Sequence, residues 1–186
     1  ALDVTVQSQI TALLKKINEK EQNAMLFITH DLNLARKLCS RILVMKDGCV
    51  VEQGKTEEIF ENPRQAYTRE LIEAVPSMMK KRDWKGTEKA GEKRPVLTVK
   101  DLAVYYQDQG NSLFSGKKKR CALSDVSFSI YEGESLGLVG ESGCGKTSLS
   151  KAVLGMTKDI RGEIVHFTSH PQMIFQDPYS SLNPSK

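Results

Sequence analysis

The sequence that decides the fold is the octapeptide Gly140-Glu141-Ser142-Gly143-Cys144-Gly145-Lys146-Thr147. The strand-like segment 135–139 leads into it, and apolar residues at helical spacing, Leu149 and Val153, follow it. The pattern is GxxxxGK[ST] in the context of strand, loop and helix that a phosphate-binding loop requires. An ordinary glycine-rich turn is the weaker interpretation, because such a turn does not need this context.

Each residue type in this loop has a physical reason. Glycines remove the Cβ atoms that would keep backbone N–H groups away from a phosphate, and the helix beginning near Lys146 adds the positive end of its dipole. Lys146 can reach the β- and γ-phosphates of ATP, and the hydroxyl of Thr147 can bind the accompanying Mg²⁺. The predicted cofactor-binding residues of the loop are Gly140, Glu141, Ser142, Gly143, Cys144, Gly145, Lys146, Thr147 and Ser148.

Composition narrows the class of protein. With 186 residues and 39% hydrophobic content, the chain is long enough for one domain or for parts of two. Its 27 Lys and Arg against 23 Asp and Glu are spread over the sequence, and this mild balance does not call for nucleic acid; the basic run 117–120 is most simply a solvated loop. The four cysteines are far apart, which favours a reduced protein with free thiols. No apolar run approaches the roughly twenty residues of a membrane-spanning helix.

The segment before the loop predicts alternating helices and strands. Asp3 is a plausible N-cap for a first helix, and the apolar run 24–28 predicts a strand buried on both faces of a parallel sheet. Asp31 can cap a second helix, and the dipeptide Asp47-Gly48 predicts a hairpin turn between strands 41–46 and 49–52. Short helical patterns that begin at Thr56 and Gln65 complete this segment.

The rest of the chain divides at a polar stretch. Residues 78–94 are rich in Lys, Glu and Gly and predict a linker. Strand-like segments over 96–106 and 121–130 then lead to the strand before the phosphate loop. We refer below to residues 1–77 as the first part of the chain and to residues 95–186 as the second part.

Three motifs together resemble the ATPase subunits of ATP-binding cassette (ABC) transporters. They are the phosphate loop, Ile174-Phe175-Gln176-Asp177-Pro178 and Phe27-Ile28-Thr29-His30-Asp31. The stretch IFQDPYSSLNP and the tail ENPRQAYTRELIEAVPS are similar to the branch that imports oligopeptides, dipeptides and nickel. The resemblance implies an α/β fold with the RecA-like core of P-loop NTPases.

The order of these motifs differs from that of a single cassette. In the family the phosphate loop precedes the switch histidine, whereas here His30 comes first. We expect parts of two ABC nucleotide-binding domains from a fused tandem protein: 1–77 from the end of the first, with an importer-type extension, 78–94 as linker, and 95–186 from the start of the second. An alternative is a circularly permuted nucleotide-binding module. The sequence has no LSGGQ-like signature and no apolar strand ending in Asp-Glu, so the catalytic glutamate is not assigned and hydrolysis by this chain alone is not expected.

Three residues outside the loop have predicted roles, two of them from the resemblance. His30 corresponds to the switch histidine that contacts the γ-phosphate, and Gln176 to the glutamine that senses Mg²⁺ and the γ-phosphate. Tyr106 is a candidate for stacking on adenine, because it ends a strand in the register Leu102, Val104, Tyr106. Each has a simpler interpretation, namely a structural histidine, a turn residue and a surface tyrosine. The predicted metal ligands are Thr147 and Gln176, and the predicted catalytic residues are His30 and Gln176.

The resemblance also implies partners and a location. In such importers ATP lies between two cassettes, whose closure drives integral membrane permease subunits, with an extracytoplasmic solute-binding protein engaged indirectly. The protein would lie peripherally on the cytoplasmic face of the plasma or inner membrane. A non-transport ABC ATPase acting on nucleic acid or ribosomes is the rival, and the importer-like tail 62–77 argues against it.

Cys144 departs from the family, which usually has serine at this position. The N-terminal end of a helix and the nearby Lys146 favour a thiolate that faces the phosphate site. The alternative is a side chain that points into the fold and is inert.

Overall fold

The computed structural model describes residues 4–75, 94–107, 119–168 and 171–174. The predictions made on Asp3, on Gln176 and on all of the linker 78–94 except Arg94 lie outside these residues. The elements in chain order are α1 Val4–Glu21, β1 Met25–Thr29, α2 Leu32–Leu38, β2 Arg41–Lys46, β3 Cys49–Lys55, α3 Thr56–Glu61, α4 Ala66–Glu73, β4 Pro95–Gln107, β5 Lys119–Tyr131, β6 Ser135–Val139, α5 Lys146–Val153 and β7 Ile160–His166. This mixture confirms the predicted α/β class.

Strands from both parts of the chain share one sheet, in the order β1-β6-β2-β3. The strand β6, from the second part, pairs in parallel with β1 on one side and with β2 on the other. We call this the mixed sheet. The expectation that the run 24–28 is buried on both faces is wrong, because β1 lies at the sheet edge and is half-buried, whereas β6 is buried throughout.

A second, antiparallel sheet is built from the second part alone, in the order β5-β4-β7. Its two long strands, β4 and β5, confirm the strands predicted over 96–106 and 121–130 and extend a little beyond them. Several bulges interrupt their pairing, as long twisted ribbons often require. This sheet needs no strand from the first part.

One apolar core joins the two sheets. Strand alternation sends Leu43 and Met45 of β2 to the face that packs on the antiparallel sheet and on α5. The alternate residues of the same strand, Ile42 and Val44, face the opposite side of the sheet, where they pack with apolar residues of α2 and α3. The first part therefore contributes to both layers of packing around the mixed sheet.

An ion pair also joins the two parts. Arg41 donates from Nη1 to Oε1 of Glu134 at 2.9 Å and to the backbone carbonyl of Ser129 at 3.2 Å. The carboxylate of Glu134 is only 4% exposed, and its other oxygen accepts the N–H of Tyr131. A buried carboxylate is tolerated when it is paired and hydrogen-bonded in this way.

Two local predictions are confirmed. The carboxylate of Asp31 accepts the N–H groups of Asn33 and Leu34 at 2.8 and 3.3 Å, so Asp31 is the N-cap of α2. Asp47 and Gly48 have φ values of +48° and +81°, which the tight hairpin turn between β2 and β3 requires. None of the helices in the described ranges is long and apolar enough to cross a membrane.

Candidate phosphate-binding site

A cavity of about 670 Å³ lies where the phosphate loop meets the first part of the chain. It is lined by Gly140, Glu141, Ser142, Gly143, Gly145, Lys146, Thr147 and Ser148 of the second part and by His30, Leu32 and Leu71 of the first part. The structure thus brings His30 to the loop and places every predicted loop residue except Cys144 along the cavity wall.

Parallel pairing explains why His30 meets the loop. The last pair of the β1–β6 ladder is Thr29 with Val139, so both strands end at the same edge of the mixed sheet. His30 follows β1 and is exposed, while the phosphate loop follows β6. Crevices at the carboxyl ends of parallel strands are the usual ligand sites of such sheets.

Two loop positions admit only glycine. A Cβ on Gly140 would lie 2.2 Å from the carbonyl oxygen of Met45, so the loop starts in close contact with β2. Gly145 has a φ of +105°, and a Cβ there would lie 2.6 Å from a methyl carbon of Leu123. At both positions the missing Cβ avoids a clash with the protein itself, and the predicted access of backbone N–H groups to a phosphate stays a prediction.

The N-terminal end of α5 has no side-chain cap. Its N-cap is Gly145, so no side chain accepts the free N–H groups of the first turn. Gly143 has a φ of +86° and open space where a Cβ would stand. Free N–H groups, a helix dipole and an open concave face are the features that bind a phosphate.

Lys146 is folded back across the loop. Its ammonium donates to the carbonyl oxygens of Gly140 and Glu141 at 2.8 and 2.7 Å. An incoming β- or γ-phosphate offers the same ammonium a charged acceptor, which forms a stronger hydrogen bond than a neutral carbonyl. We therefore expect Lys146 to exchange these loop contacts for the nucleotide.

The residues present also suit Mg²⁺. Thr147 is exposed and lines the cavity, so its hydroxyl is free to bind a cation beside the phosphates. Within the described ranges no group of three or more His, Cys, Asp and Glu is arranged to hold a metal. Mg²⁺ that accompanies a nucleotide uses few protein ligands and keeps several waters, so one hydroxyl is compatible with it.

Tyr106 lies beside the loop helix but outside this cavity. Its hydroxyl donates to Oγ of Ser148 at 3.3 Å. The ring borders a neighbouring hollow of about 310 Å³, together with Tyr105, Lys151 and Met156. Adenine stacking on Tyr106 remains a prediction.

The Cys144 thiol accepts a hydrogen bond from the Lys146 ammonium at 3.5 Å, but the hypothesis that the thiol faces the phosphate site is wrong. Cys144 is only 6% exposed, belongs to the core between the sheets and does not line the cavity. The glycine at 140 is what makes room for it, since a Cβ there would lie 2.8 Å from the sulfur. The backbone of Cys144 still shapes the loop, because its carbonyl accepts the N–H of Gly48 at 3.0 Å.

Two residues of α4 were missed by sequence reasoning. Leu71 lines the cavity, and the hydroxyl of Tyr67 accepts the N–H of Glu141 at 3.4 Å. Burial raises the pKa of Tyr67; the hydrogen bond from the Glu141 N–H opposes the rise and the charge of the Glu141 carboxylate adds to it, so the hydroxyl stays protonated at neutral pH. Helical periodicity places these residues on one face of α4, but no local signal shows that this face meets the loop.

The fold and the cavity define a nucleotide-binding protein of the P-loop class. Residues 123–186 match the ABC transporter family, and residues 51–106 match the oligopeptide/dipeptide transporter C-terminal region. The chain is 35% identical over 221 residues to glutathione import ATP-binding proteins of Shigella dysenteriae serotype 1, Escherichia coli and Shigella flexneri, an alignment that covers 99% of this chain and 35% of each relative.

The chain is therefore similar to ATP-binding cassette proteins of the oligopeptide-type importer branch in the regions that these matches cover. It spans only about a third of the length of the curated relatives it matches. The predicted resemblance is therefore confirmed at the level of the family and the branch.

Proposed function

We propose that residues 140–148 bind Mg-ATP and that the protein to which this chain belongs uses that ATP to power import through an ABC transporter. The observation that carries the proposal is the cavity in which the loop, the uncapped start of α5 and His30 meet. The transported solute is a peptide or a related small solute such as nickel. The relatives are named for glutathione import, which favours the peptide class.

Phosphoryl transfer depends mainly on positioning and on charge stabilisation. In this proposal Lys146 and the loop N–H groups hold the β- and γ-phosphates, and Thr147 binds the Mg²⁺. His30 orients the attacking water at the γ-phosphate, and Gln176 reports the state of the site to the membrane subunits. The sequence contains no signature motif or acidic Walker B strand, so we propose that this chain binds the nucleotide and does not hydrolyse it alone.

The proposed partners are a second cassette, integral membrane permease subunits and, indirectly, an extracytoplasmic solute-binding protein. The proposed location is the cytoplasmic face of the membrane. The matched oligopeptide/dipeptide C-terminal region supports these partners over nucleic acid or ribosomes.

A second candidate function is a permuted nucleotide-binding module. The mixed sheet favours it, because β6 inserts between β1 and β2 and so uses both parts of the chain for one core. The tandem interpretation, with residues 1–77 and 95–186 in different cassettes, is instead favoured by the alignment to much longer relatives. Both candidates require phosphate binding at residues 140–148.

Competition with a fluorescent ATP analogue tests the proposed function. A loop that recognises β- and γ-phosphates predicts that Mg-ATP and Mg-ADP displace the analogue from the 186-residue chain much better than AMP does. Equal displacement by AMP, or no binding of the analogue, would contradict the proposal. In the longer protein, His30→Ala is expected to slow hydrolysis and to leave Mg-ATP affinity nearly unchanged; an equal loss of binding would make His30 structural.

A further inference from the structure

The helix α4 is anchored beside the phosphate loop by the hairpin of the first part. The carboxylate of Glu52, on β3, accepts the N–H groups of Arg64 and Gln65 at 2.8 and 3.1 Å. These bonds fix the residues just before α4, so the helix begins at a defined place against the mixed sheet. Tyr67 and Leu71 then pack against the apolar cluster that covers this face of the sheet.

The side chain of Tyr67 connects β2 with the loop. The Lys46 ammonium lies 4.6 Å from the centroid of the Tyr67 ring, an arrangement that attracts the cation to the ring face. At the other end of the ring, the hydroxyl accepts the N–H of Glu141 at 3.4 Å. Tyr67 is thus held at its ring and contacts the second residue of the loop with its hydroxyl.

The Glu141 residue is held from two directions. Its N–H is bonded to Tyr67, and its carbonyl accepts the Lys146 ammonium. When Lys146 turns to a phosphate, the carbonyl loses that partner, whereas the contact with Tyr67 can persist. The Tyr67 contact therefore matters most to the loop when a nucleotide is bound.

We propose that Tyr67 is a positioning residue of the phosphate loop, and that through it the docking of α4 is coupled to phosphate binding. This inference rests on the proposed function, since it concerns the same cavity. It gives the importer-type extension a role in the nucleotide site of this chain: Leu71 forms part of the wall, and Tyr67 holds the loop backbone.

The variant Tyr67→Phe removes the hydroxyl and keeps the ring, and Tyr131→Phe is a matched control on β5 that does not line the cavity. A single neutral hydrogen bond predicts about twofold to fivefold weaker Mg-ATP binding for Tyr67→Phe. Hydrogen exchange at the Glu141 amide, measured without nucleotide, is expected to accelerate by a similar factor. Neither property should change in Tyr131→Phe.

The two measurements separate the proposals. If the unaltered chain binds Mg-ATP but Tyr67→Phe leaves its affinity or the Glu141 exchange rate unchanged, Tyr67 is not a positioning residue. The same conclusion follows if Tyr131→Phe has an equal effect, because the change is then not local. If the unaltered chain binds no nucleotide, the proposed function fails and the coupling fails with it, while the exchange rates still report whether Tyr67 holds the loop.

Discussion

The two sheets of this molecule differ in where their strands come from. The antiparallel sheet uses β4, β5 and β7, which all belong to the second part of the chain. The mixed sheet places β6 of the second part between β1 and β2 of the first. The phosphate loop follows β6, so the candidate phosphate cavity depends on the sheet that needs both parts, and the antiparallel sheet supports it from one side.

This difference makes contacts across the mixed sheet the ones that matter most for function. The loop touches the first part at Met45, Gly48 and Tyr67, and His30 completes the cavity. Substitutions that weaken the mixed sheet should therefore affect both stability and nucleotide binding. Comparable substitutions at exposed positions should affect neither by much.

The largest effect is expected for Leu138→Ala at the centre of β6. Leu138 is fully buried and pairs with Ile28 on one side and Leu43 on the other. Removing a buried leucine side chain leaves a cavity and costs about 2–5 kcal/mol of the free energy of unfolding. Urea unfolding checks this against Leu13→Ala, whose leucine is 57% exposed on α1 and should cost less than about 0.5 kcal/mol. Equal losses would contradict the central place of β6.

The ion pair between the two parts gives the next effect. Arg41→Ala leaves the buried carboxylate of Glu134 without its partner, and we expect a loss of about 2–3 kcal/mol, below that of a wholly buried pair because Arg41 is 27% exposed. Lys100→Ala breaks a pair with Glu163 in which both side chains are largely exposed, and should cost less than about 1 kcal/mol. Equal shifts of the unfolding midpoint in Arg41→Ala and Lys100→Ala would contradict this expectation, because the buried pair would then stabilise the fold no more than the exposed pair.

Lys146→Ala tests the loop without disturbing the sheet. Loss of the charged hydrogen bonds to the β- and γ-phosphates should weaken Mg-ATP binding at least about tenfold, or about 1.4 kcal/mol. Lys100→Ala is the control, since Lys100 is exposed on β4 and lines neither the cavity nor the hollow beside Tyr106. Titration calorimetry on both variants measures the difference; unchanged affinity in Lys146→Ala would remove the phosphate-site assignment.

The reactivity of the cysteine thiols tests the burial of Cys144 without any substitution. Cys121 is exposed, whereas Cys39 and Cys144 are buried, and burial raises the pKa of Cys39 to about 12. Since the thiolate is the reactive form, an alkylating reagent should modify Cys121 first and the two buried thiols only slowly. Mass-spectrometric mapping over time checks the order. Rapid modification of Cys144, with protection by Mg-ATP, would place its thiol in the phosphate site after all.

Local signals in the sequence predicted most of the elements. The glycine spacing of the loop, the Asp31 cap and the Asp47-Gly48 turn each depend on a few neighbouring residues, and the structure contains all three. The burial of β1 was misjudged because an apolar run does not reveal whether its strand lies at the edge or in the centre of a sheet.

Two features of the site could not be predicted from local pattern. The orientation of Cys144 depends on packing between the loop and the core, where the absent side chain of Gly140 leaves room for the sulfur. The contact of Tyr67 with Glu141 joins residues 74 positions apart and arises from the way α4 is anchored at Glu52. Long-range contacts of this kind follow from the assembled fold and leave no periodic trace.

The central claim is that both parts of the chain build one nucleotide site. The most direct test measures the chemical shifts of the His30 ring nitrogens by NMR in the 186-residue chain. Mg-ATP should change the chemical shifts of the His30 ring nitrogens together with those of the backbone amides of residues 140–148. The ring of His166, at the end of β7, is hydrogen-bonded to the carbonyl of Val153, at the end of α5, and its chemical shifts should change little. Lys146→Ala should suppress both shifts at the same nucleotide concentration. Perturbation of the loop amides without any shift of the His30 ring would contradict the account, because the first part would then not belong to the site.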